Sequence, residues 1–257
     1  LHAVAVVKAG AFGVVRIVYE VYGIEFAQSL GLLLPLAAVA ALTILWGSLR
    51  ALFQDDLKKR LAFSTVSQVS YIILGVALFG PLGTVGGLVH LVHQGVMKIT
   101  LFFCAGNFAE TLGIHKVSEM DGAGRRMPAT TLAFSIGALG MMGAPLTAGA
   151  VSKAWLGDGA AAAGMDWAIW VLTASSLLNA AYFLPILWRA WLRPPPAAWP
   201  HEHIAARGRR ETAWLLLLPP LATAALTLVF GLLADNALSP LAWARLIAGR
   251  EYLAEAP

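Results

Sequence analysis

The sequence predicts an all-α, polytopic membrane protein of about seven transmembrane helices, and three observations carry that prediction. Of 257 residues, 59% are hydrophobic and only 12% charged, against about 25% charged in an average soluble domain. Apolar runs of membrane-crossing length recur along the chain; a helix rising ~1.5 Å per residue needs about 20 residues for a hydrocarbon core roughly 30 Å thick. Most of the 18 Lys and Arg fall in short segments between those runs, where charges sit at a membrane surface. That distribution argues against nucleic acid as the partner of the +4 net charge. The bilayer is the expected partner.

Taken in order, residues 1–19 form the first span, which holds His2, Lys8 and Arg16. A polar loop with Glu20 and Glu25 is expected at 20–29. Residues 30–53 give a second, apolar span. Gln54-Asp55-Asp56-Leu57-Lys58-Lys59-Arg60 is a surface loop opening a third helix, 61–79, with Ser64, Thr65, Ser67, Gln68, Ser70 and Tyr71 along it. Gly80-Pro81 breaks that helix, and 82–107 is the fourth span. Residues 110–128 form a polar connector. The fifth span, 129–153, is expected to be broken near Gly143-Ala144-Pro145, because proline removes a backbone donor and clashes with the preceding turn. A small-residue loop is expected at 157–164, a sixth span at 166–191, and a seventh at 212–234 with a Pro219-Pro220 kink. The organisation is one bundle over 1–235 and a short, weakly amphipathic tail over 236–257. The chain opens on Leu inside an apolar run, without a charged n-region or cleavage site. It is therefore expected to carry no signal peptide and to begin within a longer protein.

Alternating the loops puts 50–60, 110–128 and 189–211 on one side, with 4, 3 and 5 Lys or Arg, and leaves Arg245 and Arg250 on the other. The positive-inside rule then makes those three loops cytoplasmic in a cell membrane. The other four, Lys8, Arg16, Lys98 and Lys153, fall within spans.

The fourth span carries His90, Gln94 and Lys98 one turn apart on a single stripe, with His93 about 60° to one side. An ammonium at mid-membrane costs from about 2.5 to over 10 kcal/mol, so such residues mark ion or proton paths. Lys8, Lys98 and Lys153 lie in three spans, and no apolar span core contains Asp or Glu. An amine kept from water exchanges its proton near neutral pH more readily than one in solution. The competing reading for Lys8 and Lys153 is snorkelling to an interface. Histidine passes protons through its two ring nitrogens; the competing reading for His90 and His93 is a neutral core side chain. Ser64, Ser67 and Gln68, with Gln94 and His93, are the expected supporting polar path, through hydroxyls and ordered water, or plain interhelical bonding.

Other signals carry less. A haem site needs facing histidines from different helices, which the chain does not offer. Lone Cys104 gives neither a disulfide framework nor a metal-ligand set. Gly122-Ala123-Gly124-Arg125-Arg126 lacks the strand and the Gly-Lys-Ser/Thr of a phosphate loop. His201-Glu202-His203 reads as solvated surface. No buried carboxylate orients a Ser-His or Cys-His pair. The sequence thus predicts no metal, no cofactor and no catalytic site of its own.

Four ordered stretches carry a resemblance: Leu-His-Ala-Val-Ala-Val-Val-Lys-Ala-Gly-Ala-Phe at the start, Gln-Asp-Asp-Leu-Lys-Lys-Arg-Leu-Ala-Phe-Ser-Thr-Val-Ser-Gln-Val-Ser-Tyr, His-Gln-Gly-Val-Met-Lys-Ile-Thr-Leu-Phe-Phe-Cys-Ala-Gly, and Gly-Ala-Pro-Leu-Thr-Ala-Gly-Ala-Val-Ser-Lys. Together they resemble the proton-antiporter module of Mrp-type cation/proton antiporters, antiporter-like subunits of respiratory complex I, and membrane-bound hydrogenases. Beyond residue 157 the resemblance is one of spans and loops. It implies the C-terminal half of a module of about fourteen helices in two inverted bundles, without the first bundle and its membrane glutamate and paired lysine. It implies that Lys8 links two half-channels, that His90 and Lys98 lie on a hydrophilic axis, and that Lys153, beside a broken helix, passes the proton outward. Complex I versions often carry histidine four residues before the axis lysine, where this chain has Gln94; His93, five before, leans towards an Mrp-like or hydrogenase-associated subunit.

The expected function is proton translocation within a multisubunit membrane complex, with sodium or potassium as candidate exchanged cations. Its rival is a structural membrane subunit that does not conduct. A membrane oxidoreductase with its own redox centre is poorly served by the residues present.

Overall fold

The computed structural model describes residues 6–202 and 210–253; His2 and His203 lie outside them. The first helix, α1 (Val7–Arg16), continues as a π-helical turn (Ile17–Tyr22) and, past Gly23, as α2 (Ile24–Ser29). The loop expected at 20–29 is therefore helical. Arg16 pairs with Glu20 one turn on, and Ile24 and Ala27 turn inward.

Helices α3 (Leu33–Leu52) and α4 (Leu57–Ala77) form an antiparallel pair. They approach so closely that a Cβ on Gly47 would lie 2.8 Å from Ser67 N. Asp56 caps α4 by accepting a bond from Lys59 N at 2.7 Å. Helix α5 (Pro81–Leu112) starts with proline in its first turn. At 32 residues it is ~48 Å long, and α4 and four later helices all pack on it.

After the short α6 (Ala123–Arg126), the span expected at 129–153 is split into α7 (Pro128–Met142) and α8 (Ala148–Ala162). Gly143, at φ +89°, ends α7 in the left-handed conformation that glycine adopts without strain, and Leu146 holds φ +67° in the turn. The loop expected at 157–164 is corrected: α8 runs through Gly157 to Ala162, because its small residues let it pack tightly. A Cβ on Gly159 would meet Gly83 Cα of α5 at 2.5 Å. Lys153 accordingly sits inside α8, not at the end of a span.

Helices α9 (Asp166–Leu192) and α10 (Trp214–Leu232) each contain proline. Pro220 cannot donate to Leu216 O, and Asn107 Nδ2 of α5 bonds that carbonyl at 2.9 Å. Within the expected tail, Pro240–Leu253 is a helix, α11, whose Leu241, Ala244 and Ala248 pack on Val85 and Val89. Its Tyr252 hydroxyl lies 3.1 Å from Thr84 Oγ1 of α5.

By length and composition α3, α4, α5, α9 and α10 can each cross a membrane, and α7 is a shorter apolar helix. Leucines and tryptophans such as Trp170, Leu215 and Leu232 stand outward, the pattern of a bundle whose solvent is lipid. One core joins Met97, Leu101 and Phe108 of α5 to Phe134 and Met141 of α7 and to Tyr182 and Phe183 of α9. A second joins Ile44 of α3, Tyr71 and Leu74 of α4, Leu156 of α8 and Leu172 of α9.

The basic loops meet at one end of the bundle. An isolated antiparallel bridge pairs Asp56 with Lys116, and Asp55 accepts from Ser118 N and Oγ at 3.0 and 2.8 Å. Asp121 pairs with Arg189 and Arg193 at 2.9 and 3.3 Å, and Arg126 with Glu202 at 2.7 Å. Glu211 reaches across to the start of α7, accepting from Ala129 N, Thr130 N and Thr130 Oγ1 at 2.5, 3.1 and 2.8 Å. A carboxylate there satisfies first-turn donors and opposes the helix dipole. Glu211→Ala should therefore lower stability by ~1–2 kcal/mol, read as a drop in the thermal unfolding midpoint, with Glu211→Gln intermediate.

Candidate functional site

Helix α5 turns its polar stripe inward. His90, His93, Gln94 and Lys98 are each 0% exposed. Among the described residues no Asp or Glu is buried. Lys98 Nζ donates to Ser64 Oγ of α4, and to Leu61 O at 3.3 Å. It also lies 5.8 Å from the centre of the Phe183 ring, a weakly favourable place for a cation.

One turn and more towards the start of α5, the two histidines face the broken helix. His93 Nδ1 donates to Ala148 O at 2.7 Å. A carbonyl only accepts, so this nitrogen carries the proton and Nε2 keeps the lone pair of the neutral ring. His90 Nδ1 lies 2.8 Å from Ser152 Oγ, and its ring stacks on Tyr71 at 5.1 Å.

Lys153, one turn along α8, donates to Met141 O at 2.8 Å and Ser176 Oγ at 2.9 Å. Met141 O is one of the last carbonyls of α7, left without an intrahelical donor by the break. The lysine borders a cavity of about 390 Å³ between α8 and α9 and lies 5.8 Å from the centre of the Tyr71 ring. Lys8 comes from α1 and donates to Leu91 O at 2.7 Å, on the face of α5 next to the stripe. His90 is within electrostatic reach of Lys153, His93 and Lys8. Lys98 stands eight residues further along α5, ~12 Å by helix rise.

The hydroxyl-rich side of α4 divides in two. Thr65 and Ser70 bond only back to their own helix among the described residues, at Leu61 O and Val66 O, whereas Ser64 donates to Leu61 O at 3.0 Å and also accepts from Lys98. Ser64, Ser67, Gln68 and Tyr71 are buried towards the axis. Ser67 Oγ lies 2.8 Å from Ser48 Oγ of α3, and Ser48 lies 3.2 Å from Ser175 Oγ of α9. Helix α9 supplies what sequence reasoning missed: Ser175, Ser176, Asn179 and Tyr182. Ser175, Asn179 and Tyr182 follow helical spacing along one face, and that pattern in an otherwise apolar span was the available signal. The Tyr182 hydroxyl bonds Asn179. Tyr71 OH lies beside Ser175, Gln68 and Ser176, yet among the described residues neither it nor the Gln68 carboxamide has a partner at hydrogen-bond geometry. His90 Nε2, His93 Nε2, both polar atoms of Gln94 and Asn179 Nδ2 are likewise buried, with no partner at bonding geometry among the described residues.

The family described as NADH:quinone oxidoreductase/Mrp antiporter, TM, matches residues 1–179. The chain belongs to this family. It is 36% identical over 246 residues to NADH-quinone oxidoreductase subunit N of Desulforudis audaxviator (strain MP104C), covering 92% of this chain and 48% of that relative. Its fold is similar to a chain in the structure of the Mrp complex from Dietzia sp. DQ12-45-1b, with TM-score 0.83 and 27% identity over 96% of this chain and 52% of that one. It is equally similar to a chain of the membrane-bound sulfane sulfur reductase, an archaeal respiratory membrane complex: TM-score 0.83, 27% identity, 97% and 48% coverage. The chain thus spans about half the length of these relatives. It is a multi-pass membrane protein of the family, and the likeness runs well past residue 157. The lean towards an Mrp-like subunit meets relatives on both sides, a quinone oxidoreductase subunit by sequence and an Mrp complex by structure.

Proposed function

We propose that this chain is the proton-translocating part of a membrane subunit, in which Lys8, His90, Lys98 and Lys153 hold and release protons along α5. The observation that carries the reading is Lys98: a fully buried amine held by a serine hydroxyl and a backbone carbonyl. A buried ionisable group without a partner of opposite charge is costly in a scaffold and useful in a relay. Gln68, Gln94, Tyr71 and Asn179 supply buried polar atoms free to bind water. Ser64, Ser67, Ser175 and Ser176 line the way from Lys98 towards Lys153, with His93 beside it, and Ala148 O and Ser152 Oγ hold the His93 and His90 rings at the break. The subunit works inside a multisubunit complex in the cell membrane, with loops 50–60, 110–128 and 189–211 cytoplasmic. Sodium or potassium is the cation that a coupled exchange would carry.

The test is Lys98→Met in the complete complex, reconstituted in vesicles. Methionine keeps the bulk and removes the charge. Proton or cation flux should fall at least tenfold, about 1.4 kcal/mol in rate terms, with assembly and yield unchanged. Undiminished flux in an assembled complex overturns the relay. Lost assembly with normal flux per assembled complex favours the non-conducting structural reading instead.

A further inference from the structure

The contact between Lys8 and α5 depends on a side chain that is missing. Lys8 Nζ bonds Leu91 O at 2.7 Å, the carbonyl to which Gly95 N–H donates inside the helix. A carbonyl has two lone pairs and can accept both. Helical side chains lean back towards the N-terminus, so residue 95 is the one that covers this carbonyl. Glycine leaves it open. A methyl built on Gly95 would overlap the Lys8 amine, with Lys8 Cε at 3.6 Å, and beyond the backbone of α5 itself no other heavy atom of the described residues comes within 4 Å.

We infer that Gly95 is the positioning residue of Lys8, its bare α-carbon forming the socket that seats the ammonium on the middle of α5. The function of that seat rests on the relay proposed above; the seat itself does not. Leu91 and Gly95 lie about 100° around α5 from His90 and Gln94. The socket therefore brings an amine from a separate helix to the level of His90, within its electrostatic reach. Without it the Lys8 amine loses its bond to Leu91 O, the contact that fixes the flexible stem on α5. The socket also separates position from charge. Only the tip of a mobile side chain obstructs a methyl at this position, and alanine is the better helix former, so α5 itself folds no worse.

The experiment compares Gly95→Ala, Lys8→Met and the double variant in the complete complex. Gly106→Ala is the control for helix propensity, since among the described residues nothing outside its own helix lies within 4 Å of its Cβ position. Each is read for flux in vesicles, for thermal unfolding, and for labelling of the Lys8 amine by a membrane-permeant amine reagent, quantified on the Lys8 peptide. Gly95→Ala should raise Lys8 labelling severalfold and lower flux to the Lys8→Met level, with unfolding unchanged or later. The double variant should be no worse than Lys8→Met, and Gly106→Ala should alter neither flux nor labelling. Unchanged Lys8 labelling in Gly95→Ala overturns the socket whatever the fluxes do. So does normal flux in Gly95→Ala when Lys8→Met has lost it. Raised labelling with full flux in Lys8→Met upholds the socket and removes Lys8 from the relay.

Discussion

Gly149→Ala is expected to destabilise the protein by ~3 kcal/mol, at the upper end of what one added methyl does in a packed interior. A Cβ on Gly149 would run into Gly140 O, with Met97 Sδ behind it at 3.3 Å. Neither obstacle yields easily. Gly140 O is backbone, already accepting from Gly143 N at 3.0 Å, and Met97 is fully buried. Relief requires α7 and α8 to move apart by ~1 Å, more than close packing tolerates without loss. The neighbours of Gly149 are what hold the histidines, through Ala148 O to His93 and Ser152 Oγ to His90. Flux should therefore fall together with the unfolding midpoint. The internal control is Gly157→Ala on the same helix, where nothing lies within 4 Å; there alanine should stabilise by ~0.5–1 kcal/mol. Equal shifts for the two variants would refute the packing argument.

That contrast also marks what could be seen in the residues beforehand. The stripe of His90, Gln94 and Lys98 follows from helical period alone, and burial of all three needs only that α5 be central. The break near Pro145 follows from local chemistry, since glycine and proline act on their own neighbours. The stretch 157–164 misled because small residues serve two ends, flexible loops and tight helix contacts. Gly159 and Gly83 meet across 76 residues of sequence, which no local pattern reveals. The packing of the helical end of the chain was hidden for a similar reason: Leu241, Ala244 and Ala248 form a narrow apolar face whose worth depends on Val85 and Val89 being opposite.

The lysines were readable as types and not as partners. A membrane-buried amine draws notice wherever it stands, but its acceptors are carbonyls and hydroxyls, which carry no distinctive signature. Met141 O was available to Lys153 only because the helix broke there, and Leu91 O to Lys8 only because residue 95 lacks a side chain. The polar face of α9 was hidden by ordinary residue types, serine and asparagine among leucines and tryptophans. Ser67 belongs to the predicted path, yet its nearest hydroxyl is Ser48 on a span read as purely apolar except for small residues.

Arg60 is the case where the residue was noticed for the wrong property. Counted among the basic loop charges, it lies in the first turn of α4 and is only 8% exposed. Its Nε donates to Gln54 O at 2.8 Å, Nη1 to Tyr182 O at 2.8 Å and Nη2 to Leu52 O at 3.4 Å. Leu52 ends α3, whose last carbonyls have no helical donor. Tyr182 O adjoins Ala181 O, the carbonyl that Pro185 deprives of its donor. One planar fork thus ties three backbone segments together. Arg60→Met, which keeps the stem, should destabilise by ~3 kcal/mol through carbonyls left unmet. Arg60→Lys should recover only part, because an ammonium cannot span that geometry. The measurement is thermal unfolding of the purified complex, and a midpoint unmoved in Arg60→Met would mean that other donors serve these carbonyls. Lys58 and Lys59, the two residues before it and both exposed, are the charges available to a membrane-orienting field. Their neutralisation should disturb insertion orientation and spare stability, whereas Arg60→Met should do the reverse, so the two roles separate within three consecutive residues.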